Sequence, residues 1–160
     1  MTIGELNAMT SESARSVLLE CCGSRAWSRA MTDCRPFGDL AAALLSGEEI
    51  WWRLDRADWL EAFRAHPQIG ETRAVSQWSA QEQAGMSNAG QSIAVELADA
   101  NREYLSRFGY IFIVCATGKS ASEMLAILKS RLTNAPGDEV RIAAEEQSKI
   151  SALRLKKLLT

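Results

Sequence analysis

The sequence predicts an all-α fold, and three observations carry that expectation. Apolar residues recur at helical spacing in one segment after another, and most of those segments are preceded by a residue able to cap a helix. The chain holds one strand-like run, Tyr110 to Ala116, and nothing else in it offers a convincing partner strand.

In chain order, Ser11 can cap a helix whose Ala14, Val17, Leu18 and Cys21 share a face, with Gly23 ending it. Ser24 then introduces a short helix carrying Trp27 and Met31, broken by Pro36. From Asp39, the pattern Leu40, Ala41, Leu44, Leu45 is again helical, with Gly47 expected as a pause. Asp55 can cap the segment in which Trp59, Leu60 and Phe63 form a face, and Pro67 requires that helix to end at or just before His66. Ser79 followed by Glu82 reads as a capping box opening another helix, which Ser87 to Gly90 interrupts. Ile93, Leu97, Ala100 and Tyr104 continue at helical spacing to Phe108-Gly109.

Since a lone strand leaves its backbone groups unpaired, residues 110–116 are expected as a buried extended segment. Ser120 and Glu123 read as a second capping box before Met124, Leu125, Leu128 and Leu132, with Asn134-Ala135-Pro136 as the stop. A long last helix is expected from Asp138, carrying Val140, Ala143, Ile150, Leu153 and Leu158. The sum is a single-domain bundle of about eight helices over residues 1–160, without repeat or dividing linker.

Composition narrows the function. With 160 residues, 47% hydrophobic and 24% charged, the chain has an ordinary globular make-up. Its 18 basic and 20 acidic residues are interspersed and give a net charge of -2, which argues against nucleic acid as a partner. No apolar run approaches the length of a membrane span, so no membrane partner is expected. No signal peptide is legible, and the ending Leu158-Leu159-Thr160 is not a peroxisomal address, so a cytoplasmic setting is expected. Cys21, Cys22, Cys34 and Cys115 lack paired metal spacing and have one histidine to join them, so a reduced protein without a metal site is expected.

That histidine, His66, stands in Ala65-His66-Pro67-Gln68-Ile69-Gly70-Glu71, and histidine is the side-chain type whose unperturbed pKa lies near neutrality, which suits proton transfer. The same position suits a cap at a helix C-terminus, where the dipole favours an imidazolium. Glu82 fits the capping box, and a first-turn carboxylate can also face a ligand and tune an imidazole. Arg131 near a helix end complements the dipole, or, turned inward, offers a planar fork to a carboxylate or ureido oxygen. Gly118-Lys119-Ser120 is not a phosphate loop, because Ile113 stands where its first glycine belongs. Trp27, Trp51, Trp52, Trp59 and Trp78 read as core, and Cys115 as a buried inert thiol.

Five blocks occur together: His66-Pro67-x-Ile69-Gly70, Ser79-x-x-Glu82-Gln83, Asn101-x-x-Tyr104-x-x-x-Phe108-Gly109-x-x-Phe112, Arg131-x-x-Asn134 and Arg154-Leu155. In order and spacing they resemble the signature of the OHCU decarboxylases, which convert 2-oxo-4-hydroxy-4-carboxy-5-ureidoimidazoline (OHCU) into (S)-allantoin in urate breakdown. Ile69 stands where leucine is more usual, a volume-conserving exchange.

The resemblance implies an all-α, cofactor-free enzyme, often a homodimer, acting after urate oxidase and the hydrolase that forms OHCU. It implies His66 as catalytic acid/base and Glu82 as its carboxylate partner. Pro67, Ser79 and Gln83 would line the pocket, with Gln83 on the substrate's amide-like edge. The backbone of Phe112, Ile113, Val114, Cys115 and Ala116 would bond the substrate, and Arg131 would hold one of its oxygens, with Arg141 and Arg154 as rivals for that place. Two other classes compete: a helical interaction module in which His66 and Arg131 are caps, and a hydrolase of ureido compounds in which His66 and Glu82 activate water.

Overall fold

The computed structural model describes residues 1–67 and 88–160, and among them every regular element is a helix. The described residues hold eight: α1 Ile3–Ala8, α2 Ser11–Cys21, α3 Arg25–Asp33, α4 Leu40–Arg53, α5 Arg56–Arg64, α6 Asn88–Phe108, α7 Ala121–Arg131 and α8 Pro136–Leu158. The all-α expectation holds. The chain folds as two compact units, residues 1–65 with 144–160, and residues 66–143.

The first unit is built by capped helices around tryptophan. Ser24, Asp39 and Asp55 cap α3, α4 and α5 as expected, each side chain accepting a backbone N–H from the third residue on. For α2 the cap is Thr10, one residue before the expected Ser11. Helix α1 was not anticipated, although Thr2 and Glu5 close a full capping box around its start. Arg35 ties its far end down, donating to the carbonyls of Leu6 at 2.7 Å and Met9 at 2.8 Å.

Trp27 and Trp51 are each 2% exposed, and their indole N–H groups donate to the carbonyls of Gly47 and Ala144, both at 2.9 Å. Buried indoles with their one polar atom satisfied are core, as expected. Trp52 and Trp59 are half-buried, with ring centroids 5.6 Å apart edge-on, whereas Trp78 lies outside the described residues. The thiols of Cys21 and Cys22 are pushed up to about 11 by burial, so both stay protonated and inert at neutral pH.

Two glycines are required by tertiary contacts, and one of them, Gly47, differs from expectation. Gly47 makes no pause: α4 runs through it, and a Cβ there would sit 3.2 Å from Trp27 Cζ2, so the missing side chain is what lets α3 approach. Helix α2 ends just ahead of Gly23, with Cys22 as C-cap, but Gly23 is not a left-handed cap; a Cβ on it would collide with the Ala65 methyl at the end of α5. Gly23→Ala is expected to lower stability by about 1–3 kcal/mol through this overpacking, read as a lower urea midpoint with an unchanged m value. A variant as stable as the parent would show that the loop yields at no cost.

The second unit packs α6 against α7, with the extended segment between them in sequence. Leu97, Ala100, Asn101 and Tyr104 form the buried face of α6, while the expected interruption at Asn88 to Gly90 is helical. Gly109, at φ +82°, reverses the chain after Phe108, and its N–H closes on the Leu105 carbonyl at 2.9 Å. Tyr110 is 4% exposed and Phe112 only 1%, and residues 111–116 have no regular structure, matching the expected buried segment. Thr117-Gly118 then turns the chain, with Gly118 at φ +75°. Ser120 caps α7 through the Glu123 N–H, but the Glu123 carboxylate meets the Ser120 hydroxyl and not its backbone N–H, so the box is only half formed. Helix α8 starts at Pro136, two residues before the expected Asp138, because a proline without N–H fits the first helical position.

Candidate functional site

His66 follows α5 directly, past the C-cap Ala65, on the helix-to-loop corner that Pro67 demanded. Its side chain is half-buried, and Pro67 is exposed. Ser79, Glu82 and Gln83, together with Ile69 and Gly70, lie outside the described residues, as does the capping box expected at Ser79. His66 and the segment Phe112 to Ala116 belong to the same compact unit.

Within that unit the structure brings Arg131 to the extended segment. Arg131, at the end of α7, is 5% exposed and donates from Nη1 to the Ile113 carbonyl at 2.6 Å. Its guanidinium carbon stands 4.7 Å from the centroid of the Phe112 ring and 5.8 Å from that of Tyr104. Lys119 supports the same stretch from its other end, its Nζ donating to the Cys115 carbonyl at 2.7 Å and its N–H to that of Ala116 at 3.0 Å. The Gly-Lys-Ser tripeptide therefore makes a turn, a clamp and a helix cap.

Nε and Nη2 of Arg131 point to Glu139, in the first turn of α8, and Nη2 also reaches the Tyr104 hydroxyl at 3.4 Å. Nε lies 2.9 and 3.0 Å from the two carboxylate oxygens, and Nη2 lies 2.9 Å from Oε2. The Tyr104 hydroxyl donates to Glu139 Oε2 at 2.6 Å, and Asn134 Nδ2 reaches Oε1 at 3.3 Å. Burial pulls the Arg131 guanidinium down, but the Glu139 bonds more than offset it and leave it above its ordinary value. Burial, then the Glu139 bond, pushes the Tyr104 hydroxyl far up, so it stays a donor.

Chemically, this places an arginine–carboxylate pair beside an irregular backbone stretch whose Ile113, Cys115 and Ala116 carbonyls are held. Glu139 was not singled out in the sequence, although an acid in the first turn of the helix following a buried-type arginine was a usable signal. Arg141 and Arg154, the two rival arginines, are both exposed. Among the described residues no group of three or more His, Cys, Asp or Glu side chains could hold a metal ion. No helix among them is long and apolar enough to cross a membrane.

Comparison with known proteins places these features in a family. The OHCU decarboxylase family model matches residues 7–156. The Uric acid degradation bifunctional protein TTL of Arabidopsis thaliana is 40% identical over 148 residues, which cover 88% of this chain and 45% of that protein. The Uric acid degradation bifunctional protein PucL of Bacillus subtilis (strain 168) is 27% identical over 162 residues, covering 99% of this chain and 33% of that protein. The chain thus spans less than half the length of these two curated relatives. A crystal structure of OHCU decarboxylase in the presence of (S)-allantoin superposes with a TM-score of 0.77 at 39% identity, covering 94% of this chain and 98% of that one. A crystal structure of (S)-allantoin synthase, at 19% identity and a TM-score of 0.74, shares the fold.

Proposed function

The chain belongs to the OHCU decarboxylase family, and on that premise we propose that it decarboxylates OHCU to (S)-allantoin. The observation that carries this reading is the near end-to-end likeness, at 39% identity, to an OHCU decarboxylase crystallised in the presence of (S)-allantoin. In this reading the enzyme is cofactor-independent, as the family resemblance implies, with the homodimer common in that family as its assembly and the cytoplasm, expected from the sequence, as its setting.

The chemistry asks little of a cofactor. When the bond from C4 to the carboxylate breaks, its electron pair can form a C4–C5 double bond while the imine pair moves onto nitrogen, which takes up a proton. The substrate thus carries its own electron sink. Loss of the 4-hydroxyl proton and protonation at C5 then give the ring carbonyl and allantoin, with the face of proton delivery setting the (S) configuration.

His66 moves the proton at the 4-hydroxyl or carboxylate end, and Glu82 holds the imidazole in the working orientation. Pro67 and Ser79 shape the pocket, and Gln83 bonds the amide-like edge. The backbone from Phe112 to Ala116 supplies further hydrogen bonds. Arg131 acts on that backbone, since its donors go to Glu139, Tyr104 and the Ile113 carbonyl.

The test is to generate OHCU in place from urate with the two upstream enzymes, add this protein, and follow circular dichroism. Fast appearance of the (S)-allantoin signal is expected. Decay at the spontaneous rate to racemic product would end this reading in favour of a helical interaction module, and release of ammonia or urea would point to a hydrolase.

A further inference from the structure

Glu139 is the one buried carboxylate among the described residues, at 0% exposure, and it faces the one buried arginine, Arg131. A buried ion pair is a poor way to gain stability, because well-packed apolar residues of the same volume serve as well or better. What apolar residues could not do is donate a hydrogen bond to the Ile113 carbonyl, which lies in a segment without regular structure and with no strand beside it among the described residues.

The direction of Arg131 depends on Glu139. Nε and Nη2 both engage the carboxylate, so the guanidinium plane is set by two bonds on one edge, and Nη1 is thereby aimed at Ile113. Tyr104 and Asn134 fix the carboxylate in turn, and Phe112 closes the guanidinium face. We infer that Glu139 is a positioning residue for substrate binding: through Arg131 it fixes the backbone around Ile113 that presents hydrogen bonds to the substrate. The inference rests on the decarboxylase reading for the identity of that substrate.

A group that shapes a binding surface without touching the reacting atoms acts equally on ground and transition states. Its loss raises KM and leaves kcat nearly alone. In Glu139→Gln, compared with the parent under conditions where both are folded, KM for OHCU is expected to rise about tenfold with kcat within about threefold. Arg131→Lys keeps the charge but lacks the planar fork, so it raises KM by a similar factor, and the double variant raises it no further. Amide hydrogen exchange at residues 113–116 should quicken in these variants while the middle of α6 keeps its protection.

If Glu139→Gln does not fold, Tyr104→Phe removes only the hydroxyl that steadies the carboxylate, and about a threefold rise in KM is expected. A folded Glu139→Gln protein with parental KM, or one whose KM rises with no change in exchange at 113–116, overturns the inference. Failure of the parent to accelerate OHCU decay is a different result: it removes the decarboxylase reading, while the exchange measurement still decides whether Glu139 holds the segment.

Discussion

Replacing His66 with glutamine is expected to cut the enzymatic rate of OHCU decarboxylation by about 10²–10⁴-fold, the usual contribution of a placed acid/base, and to remove the excess of (S)-allantoin. Glutamine keeps polarity and nearly keeps volume, but it exchanges no proton near neutral pH. The corner that carries His66 is set by the end of α5 and by Pro67, neither of which the change touches, so the fold is expected to survive. Circular dichroism at the allantoin signal, with a far-ultraviolet spectrum as a folding control, reads both quantities at once. A folded variant within about threefold of the parent would return His66 to the role of a helix cap, worth only about 0.3–1 kcal/mol of stability.

The second large effect concerns stability. Arg131→Met is expected to cost about 3–5 kcal/mol, because it leaves the Glu139 carboxylate buried without its cation. The loss exceeds that of an ordinary side-chain truncation since Tyr104 and Asn134 alone cannot neutralise the charge. Adding Glu139→Leu to that variant removes the stranded charge and is expected to recover at least about half of the loss. Urea unfolding measures both steps. A cost below about 1 kcal/mol for Arg131→Met would show that water reaches the carboxylate and that the pair is not enclosed.

What was legible in the sequence follows the range of the forces involved. Caps at Ser24, Asp39, Asp55 and Ser120 depend on a hydroxyl or carboxylate reaching an N–H three residues away, so local sequence is enough. The corner at His66 and the buried run after Gly109 were readable for the same reason: proline, glycine and a patternless apolar stretch are local signals. Helix α1 carried its own capping box in Thr2 and Glu5, but six residues with one buried side chain present almost no periodicity. Gly47 was misjudged as helix punctuation, and the packing need at Gly23 went unseen, because what requires them is Trp27 and Ala65, distant in sequence. The Arg131–Glu139 pair escaped likewise: an arginine near a helix end looks the same whether it meets water or a carboxylate across a loop. For Ser79, Glu82 and Gln83, outside the described residues, the sequence remains the only guide.

The two left-handed glycines, Gly109 and Gly118, also make residues 110–117 a ruler. Between them Phe112, Ile113, Val114 and Cys115 follow one another without regular structure. All four are buried, and the turns at either end leave no slack to absorb a change in length. Deleting one residue would draw each buried side chain into a niche shaped for its neighbour and move the Ile113 carbonyl away from Arg131. Substitutions that conserve volume are therefore tolerable along this stretch, whereas insertions and deletions are not: what it must preserve is its count of residues.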